Sequence, residues 1–141
     1  MAQAIGAHSP MLKKTMFTKI LVANRGEVAV RLVRAIADMG IQSVAIYADD
    51  DANAQHVHMA DTAVRLTQEG CPTGVGPSAY LDATRIVAIA RACGCDAIHA
   101  GYGFLSENAD FAQQCAEAGI CFIGPTPQQL AVFGDKAQAR T

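Results

Sequence analysis

The apolar run Lys19-Ile20-Leu21-Val22-Ala23 passes through a short turn, Asn24-Arg25-Gly26-Glu27, into an amphipathic stretch from Val28 to Met39. A second apolar run, Ser43-Val44-Ala45-Ile46-Tyr47, follows. This succession constrains the fold more than any other part of the chain. Short β-branched runs bounded by turn signals suit buried strands, and the longer stretch has apolar residues at helical spacing. Gly40 stands where a helix would end. A strand, a crossover helix and a second strand of these lengths form a βαβ unit with parallel pairing and a right-handed crossover.

The same alternation continues. Thr62-Ala63-Val64-Arg65-Leu66 reads as a third strand, and Thr67 to Ala79, rich in glycine and proline, reads as a surface loop. Asp82 caps a helix from Ala83 to Cys93, which Gly94 stops. Its apolar face carries Ile86, Val87, Ile89, Ala90 and Cys93. Asp96-Ala97-Ile98 is a fourth strand. A helix from Ala109 to Ala118 turns Phe111, Ala112 and Cys115 inward, and Ile120-Cys121-Phe122-Ile123 is a fifth strand. Thr126 then caps a short helix with Pro127 at its first position. The order predicts an α/β, Rossmann-like, doubly wound, mainly parallel sheet with helices on both faces. The chain has 141 residues, 51% of them hydrophobic, enough to fill one core. The domain is expected over residues 17–141, with 1–16 a flexible leader or expression remnant.

Charge and composition exclude several classes. A net charge of -2 gives no electrostatic case for nucleic acid or an anionic membrane. No apolar run approaches the roughly 20 residues of a membrane span. The N-terminus lacks a signal-peptide pattern, and five cysteines without a disulfide framework suit reduced thiols in a cytosolic-type compartment.

Several candidate sites fail their chemical tests. A dinucleotide site needs Gly-x-Gly-x-x-Gly in the first turn, where only Gly26 stands, so Asp49-Asp50-Asp51 reads as a solvated turn. His56 and His58 lie in a helix-like stretch, Ala54 to Ala60, which keeps them off a common face, and no metal site is expected. Cys93-Gly94-Cys95 lacks the redox spacing. No nucleophile stands with a base, and no catalytic set is complete. Glu27, Arg31, Arg34 and Asp38 form one charged stripe on the first helix, with Glu27–Arg31 and Arg34–Asp38 spaced to pair.

One stretch does carry a site-like pattern. In His99-Ala100-Gly101-Tyr102-Gly103-Phe104-Leu105-Ser106-Glu107-Asn108, two glycines flank a tyrosine at the turn leaving the fourth strand. Ligands of open α/β sheets sit at such carboxyl ends. The glycines permit close backbone approach, the tyrosine hydroxyl is free to reach a partner, and Ser106 can cap the next helix.

These residues resemble the His-Pro-Gly-Tyr-Gly-Phe-Leu-Ser-Glu-Asn segment of biotin carboxylases, with Ala100 in place of the usual proline. Ile20 to Arg31 resembles the start of that family. Phe122-Ile123-Gly124-Pro125-Thr126-Pro127 and Phe133-Gly134-Asp135-Lys136 resemble a third motif, in the same order. The resemblance runs from about Phe17 to Thr141 and implies the N-terminal, pre-ATP-grasp part of an enzyme that uses MgATP and bicarbonate to carboxylate biotin. It implies ATP contact for Lys136, a place bordering the biotin and bicarbonate pocket for Tyr102 and Gly103, and a dimer face at Arg31, Arg34 and Asp38. It also implies a biotin carboxyl carrier domain and a carboxyltransferase as partners, in the cytoplasm or an organelle matrix. Metal ligands and catalytic residues of the family lie beyond Thr141, so this chain alone is expected to be inactive. Two other readings share the topology: the equivalent domain of another ATP-grasp ligase, which the Tyr102 motif disfavours, and a non-catalytic Rossmann-like nucleotide-binding or interaction module.

Overall fold

The computed structural model describes residues 17–67 and 76–123. The expected leader at 1–16, part of the Gly/Pro-rich stretch, the Thr126 cap and Lys136 lie outside them. Five strands form one sheet: β1 (Lys19–Val22), β2 (Gln42–Tyr47), β3 (Thr62–Arg65), β4 (Ala97–His99) and β5 (Cys121–Ile123). Their order is β3-β2-β1-β4-β5, and every pairing is parallel. Four helices connect them: α1 (Gly26–Asp38), α2 (Gln55–Met59), α3 (Ala83–Cys93) and α4 (Ala109–Glu117).

Strand alternation divides the core into two layers. Leu21, Val44, Ile46 and Ile98 point to the face covered by Ile86, Ile89, Ala90, Phe111 and Cys115 of α3 and α4. Ile20, Val22 and Ala97 point to the other face, against Ala29, Val33 and Ile36 of α1, with Met59 of α2 beside them. Both faces are therefore buried, as a parallel sheet requires. The chain steps outward from β1 to β3 with helices on one face, then returns to β4 and β5 with helices on the other. The switch point lies between β1 and β4.

Local chemistry sets most boundaries. Gly26 takes φ +65, which lets the chain turn directly from β1 into α1, so the helix begins two residues before the expected Val28. Asp82 caps α3 by accepting from the Arg85 amide at 3.1 Å, and Gly94 closes it in the left-handed region. Asn108, rather than Ser106, caps α4: its Oδ1 accepts from the Phe111 amide at 2.8 Å. Ser106 is still inside a turn, its amide donating to the Gly103 carbonyl at 3.0 Å, so the helix starts later.

Asp49-Asp50-Asp51 is not the solvated turn that the sequence suggests. Asp49 receives two bonds from Arg65, at 2.7 and 2.9 Å, and Asp50 accepts from the Gly76 amide at 3.1 Å. Asp51 receives a fork from Arg25, at 2.7 and 2.8 Å, and a third bond from the Tyr80 hydroxyl at 2.7 Å. The Arg25 bonds, helped by Tyr80 and opposed by burial, hold the Asp51 carboxyl down at about 2. Tyr80 itself is fully buried, in a 3-10 turn (Pro77–Leu81) that begins within the stretch expected to be a surface loop. Its hydroxyl also accepts from the Ala48 amide at 3.0 Å, and Arg25 lies 5.9 Å over its ring.

Tyr80→Phe should therefore lower stability by about 1–3 kcal/mol, because it strips a partner from a buried amide and from a carboxylate at once. Urea unfolding should show an earlier midpoint with an unchanged slope. An unshifted midpoint would mean that water replaces the hydroxyl at no cost.

Candidate functional site

The site builds up from the switch point. The β1–β4 ladder continues one step beyond β1, with the Ala23 amide donating to the His99 carbonyl at 2.9 Å. Asn24 comes next and is 1% exposed. Its Nδ2 donates to the carbonyls of Ala100 and Tyr102, both at 2.7 Å, and its Oδ1 accepts from the Arg25 amide at 2.8 Å. Two acceptors on one side and a donor on the other fix which amide atom is which.

Gly101 sits inside this grip at φ +65. A Cβ there would lie 2.6 Å from Val28 Cγ1 and 3.1 Å from Asn24 Nδ2, so only glycine fits. The Gly101 amide donates to His99 Nδ1 at 3.1 Å, which leaves the neutral imidazole proton on Nε2. Gly103 (φ +72) and Phe104 (φ +49) keep the chain in the left-handed region. For an aromatic residue that conformation is costly, and packing holds it: the Phe104 ring lies 5.6 Å from that of Tyr80.

The result is a loop fixed at its base with Tyr102 projecting from it, 70% exposed. Tyr102 and Arg31 share a hollow of about 290 Å³ with Val28, Leu32, His99 and Gly101. The structure thus joins two residues that the sequence assigned to separate tasks. Arg34 and Asp38 lie further along the exposed side of α1, away from the hollow. The Glu27–Arg31 pair forms at 3.2 Å in full solvent, where such pairs contribute little, and the Arg34–Asp38 pair does not form. On the far side of His99 a second hollow, about 370 Å³ and mostly apolar, runs between α1 and β5.

At the switch point, where doubly wound folds take ligands, the Asn24 side chain bridges from the end of β1 to the Tyr102 loop, beside the hollow lined by Val28 and Gly101. Among the described residues no three His, Cys, Asp or Glu side chains stand together as metal ligands. Burial pushes the thiols of Cys95 and Cys115 up to about 12 and about 11, so neither is a nucleophile at neutral pH. No helix among the described residues is long and apolar enough to cross a membrane.

The model of the biotin carboxylase N-terminal domain matches residues 16–130. The chain belongs to that family. Biotin carboxylase 1 of Bacillus subtilis is 47% identical over 129 residues, covering 89% of this chain and 27% of the relative. The biotin-dependent acyl-coenzyme A carboxylase alpha3 subunit of Mycobacterium leprae is 52% identical over 122 residues, covering 86% and 20%. Among solved structures, the biotin carboxylase domain dimer of Hydrogenobacter thermophilus 2-oxoglutarate carboxylase, in complex with MgADP, ADP and bicarbonate, superposes with a TM-score of 0.77 at 48% identity. It covers 89% of this chain and 26% of that one. The chain therefore spans about a quarter of these biotin carboxylases, or less, and corresponds to their N-terminal portion.

Within that domain, sequence reasoning found the Tyr102 loop through its glycines but missed Asn24 and Arg25, which it placed in a plain turn. The available signal was a polar pair directly after a buried strand at the carboxyl edge.

One buried and one half-buried histidine give the domain a pH signature. His56 is fully buried, with Nε2 facing the Ile46 carbonyl at 3.1 Å and Nδ1 unpartnered. Burial lowers the affinity of both His56 and His99 for a proton. Below the ordinary value of about 6.5 the unfolded chain binds protons that the folded one refuses, so stability falls as pH falls through that window. Urea midpoints should drop between about pH 7 and pH 5, and His99→Asn, which keeps an acceptor near Nδ1, should flatten part of the drop. A midpoint that holds or rises on acidification would contradict the burial of these neutral rings.

Proposed function

We propose that this chain serves as the N-terminal part of an ATP-dependent biotin carboxylase, which uses MgATP and bicarbonate to carboxylate biotin on a carrier domain. The observation that carries this reading is the fixed loop His99–Asn108, displayed at the carboxyl edge of a domain that belongs to the biotin carboxylase family. Tyr102 and Gly103 border the biotin and bicarbonate pocket: the tyrosine offers a hydroxyl at the loop tip, and the glycine leaves room for a second surface to approach. Lys136, outside the described residues, contacts the nucleotide, where an ammonium offsets phosphate charge. Arg31, Arg34 and Asp38 supply part of a subunit contact. The domain occupies 17–141, and 1–16 are a flexible leader or an expression remnant. It works with a biotin carboxyl carrier domain and a carboxyltransferase, in the cytoplasm or an organelle matrix.

Phosphoryl transfer needs metal ions and several cationic groups in position. The described residues supply no such set, so ATP, Mg²⁺ and the reacting biotin are held mainly by the rest of the enzyme. The chain by itself should bind MgATP no tighter than about millimolar and show no turnover.

A chimera tests the reading. Residues 17–141 replace the matching segment of Bacillus subtilis biotin carboxylase 1, and ADP release is followed with and without biotin and bicarbonate. The chimera should retain turnover within about tenfold of its parent, an activation difference of about 1.4 kcal/mol. Tyr102→Phe should lower that turnover more than Ala100→Pro, which only stiffens the turn. A folded chimera without biotin-dependent ADP release would overturn the assignment.

A further inference from the structure

We infer that Asn24 is a positioning residue for the biotin and bicarbonate pocket, acting through the backbone of the loop that carries Tyr102 and Gly103. The inference rests on the carboxylase reading above and extends it to a residue that touches no reactant. Asn24 follows β1 and the Tyr102 loop follows β4, and the side chain of one grips the other. Its two Nδ2 bonds, each 2.7 Å, end on the carbonyls on either side of Gly101. They therefore fix the peptide planes that lead into Gly101 and out of Tyr102. The Oδ1 bond from the Arg25 amide stops the Asn24 amide from rotating. Arg25 is itself held by the Asp51 fork. The loop position is thus referred back, through three residues, to the carboxyl ends of β1 and β2.

Tyr102 at the loop tip is 70% exposed and has no such grip of its own, the next anchor being the Phe104 ring packed on Tyr80. Displacing a reacting or orienting group by about 1 Å costs up to about a hundredfold in rate, so a grip at the base of the loop controls what happens at its tip. Asn24→Asp is the sharpest probe. It keeps the shape but turns a carboxylate oxygen toward two carbonyls, replacing two donors with repulsion.

The complete carboxylase is assayed as wild type, Asn24→Asp, Asn24→Ala and Ile89→Val, the last a core variant on α3 that takes no part in these bonds. The Asn24 variants should raise KM for biotin or bicarbonate at least about tenfold with KM for MgATP unchanged, because nucleotide contacts lie elsewhere. Ile89→Val should leave every KM unchanged. A second arm needs no activity. The chain has no tryptophan, so Tyr102→Trp places a single fluorophore at the loop tip. Adding Asn24→Ala to it should at least about double the amplitude of nanosecond motion in anisotropy decay.

Unchanged KM values in a folded Asn24 variant, or a loss confined to kcat, would overturn the inference. So would an anisotropy decay that does not respond. If the wild-type enzyme shows no biotin-dependent turnover, the carboxylase reading fails. The anisotropy arm then still decides whether Asn24 sets the loop.

Discussion

A side-chain amide with two donors and one acceptor holds the middle of this sheet together at its carboxyl edge. Asn24 bonds to Ala100 and Tyr102 across the β1–β4 switch point and to Arg25 beside it. At this point the chain reverses its winding and the helices on the two faces diverge, which in doubly wound folds opens a crevice. Here the Asn24 side chain spans that point and anchors the Tyr102 loop, beside the hollow lined by Val28, Gly101 and Tyr102. Gly101 is required for the same reason, because a side chain there would strike Val28.

Neighbouring residues extend this pattern along the edge. Asp49, Asp50 and Asp51 follow β2, and each binds a different partner: Arg65 at the end of β3, the Gly76 amide, and the Arg25–Tyr80 pair. A half-buried arginine fork contributes more than an exposed pair such as Glu27–Arg31, because less water competes for it. The opposite edge uses carboxylates differently. Asp96 and Asp61 accept amides at the starts of β1 and β2, among them those of Thr18 and Ser43, both at 2.9 Å. One edge is thus sealed by strand-start caps, while the other links successive connections into a rigid rim that presents Tyr102.

The elements that rest on local rules were legible in the sequence. β1, α1 and β2 follow from hydrophobic spacing, and α3 follows from Asp82 and Gly94, which act within a few residues of the helix. The inward set Phe111, Ala112 and Cys115 follows from the same periodicity. What escaped depends on contacts between distant residues. Tyr80 follows a stretch that reads as a surface loop, and its burial is explained only by Asp51, 29 residues away, which takes its hydroxyl. Asn24 finds its partners 76 and 78 residues downstream, which no window along the chain can show. Ser106 lost the cap to Asn108 because the left-handed Gly103 and Phe104 prolong the turn. The Tyr102 loop was readable because its glycines mark it, whereas the side chain that fixes the loop carries no such mark.

The most direct measurement of this account is hydrogen exchange at the Asn24 side-chain amide in the isotope-labelled chain, followed by NMR. Both Nδ2 protons of the buried Asn24 side chain are donated to backbone carbonyls, so they should exchange only when the domain opens globally, at rates matching the slowest backbone amides of β1 and β4. They should also resonate apart from those of exposed asparagines. Exchange at the rate of a free asparagine amide would show that the switch point stands open, and the account of the loop built on it would fail.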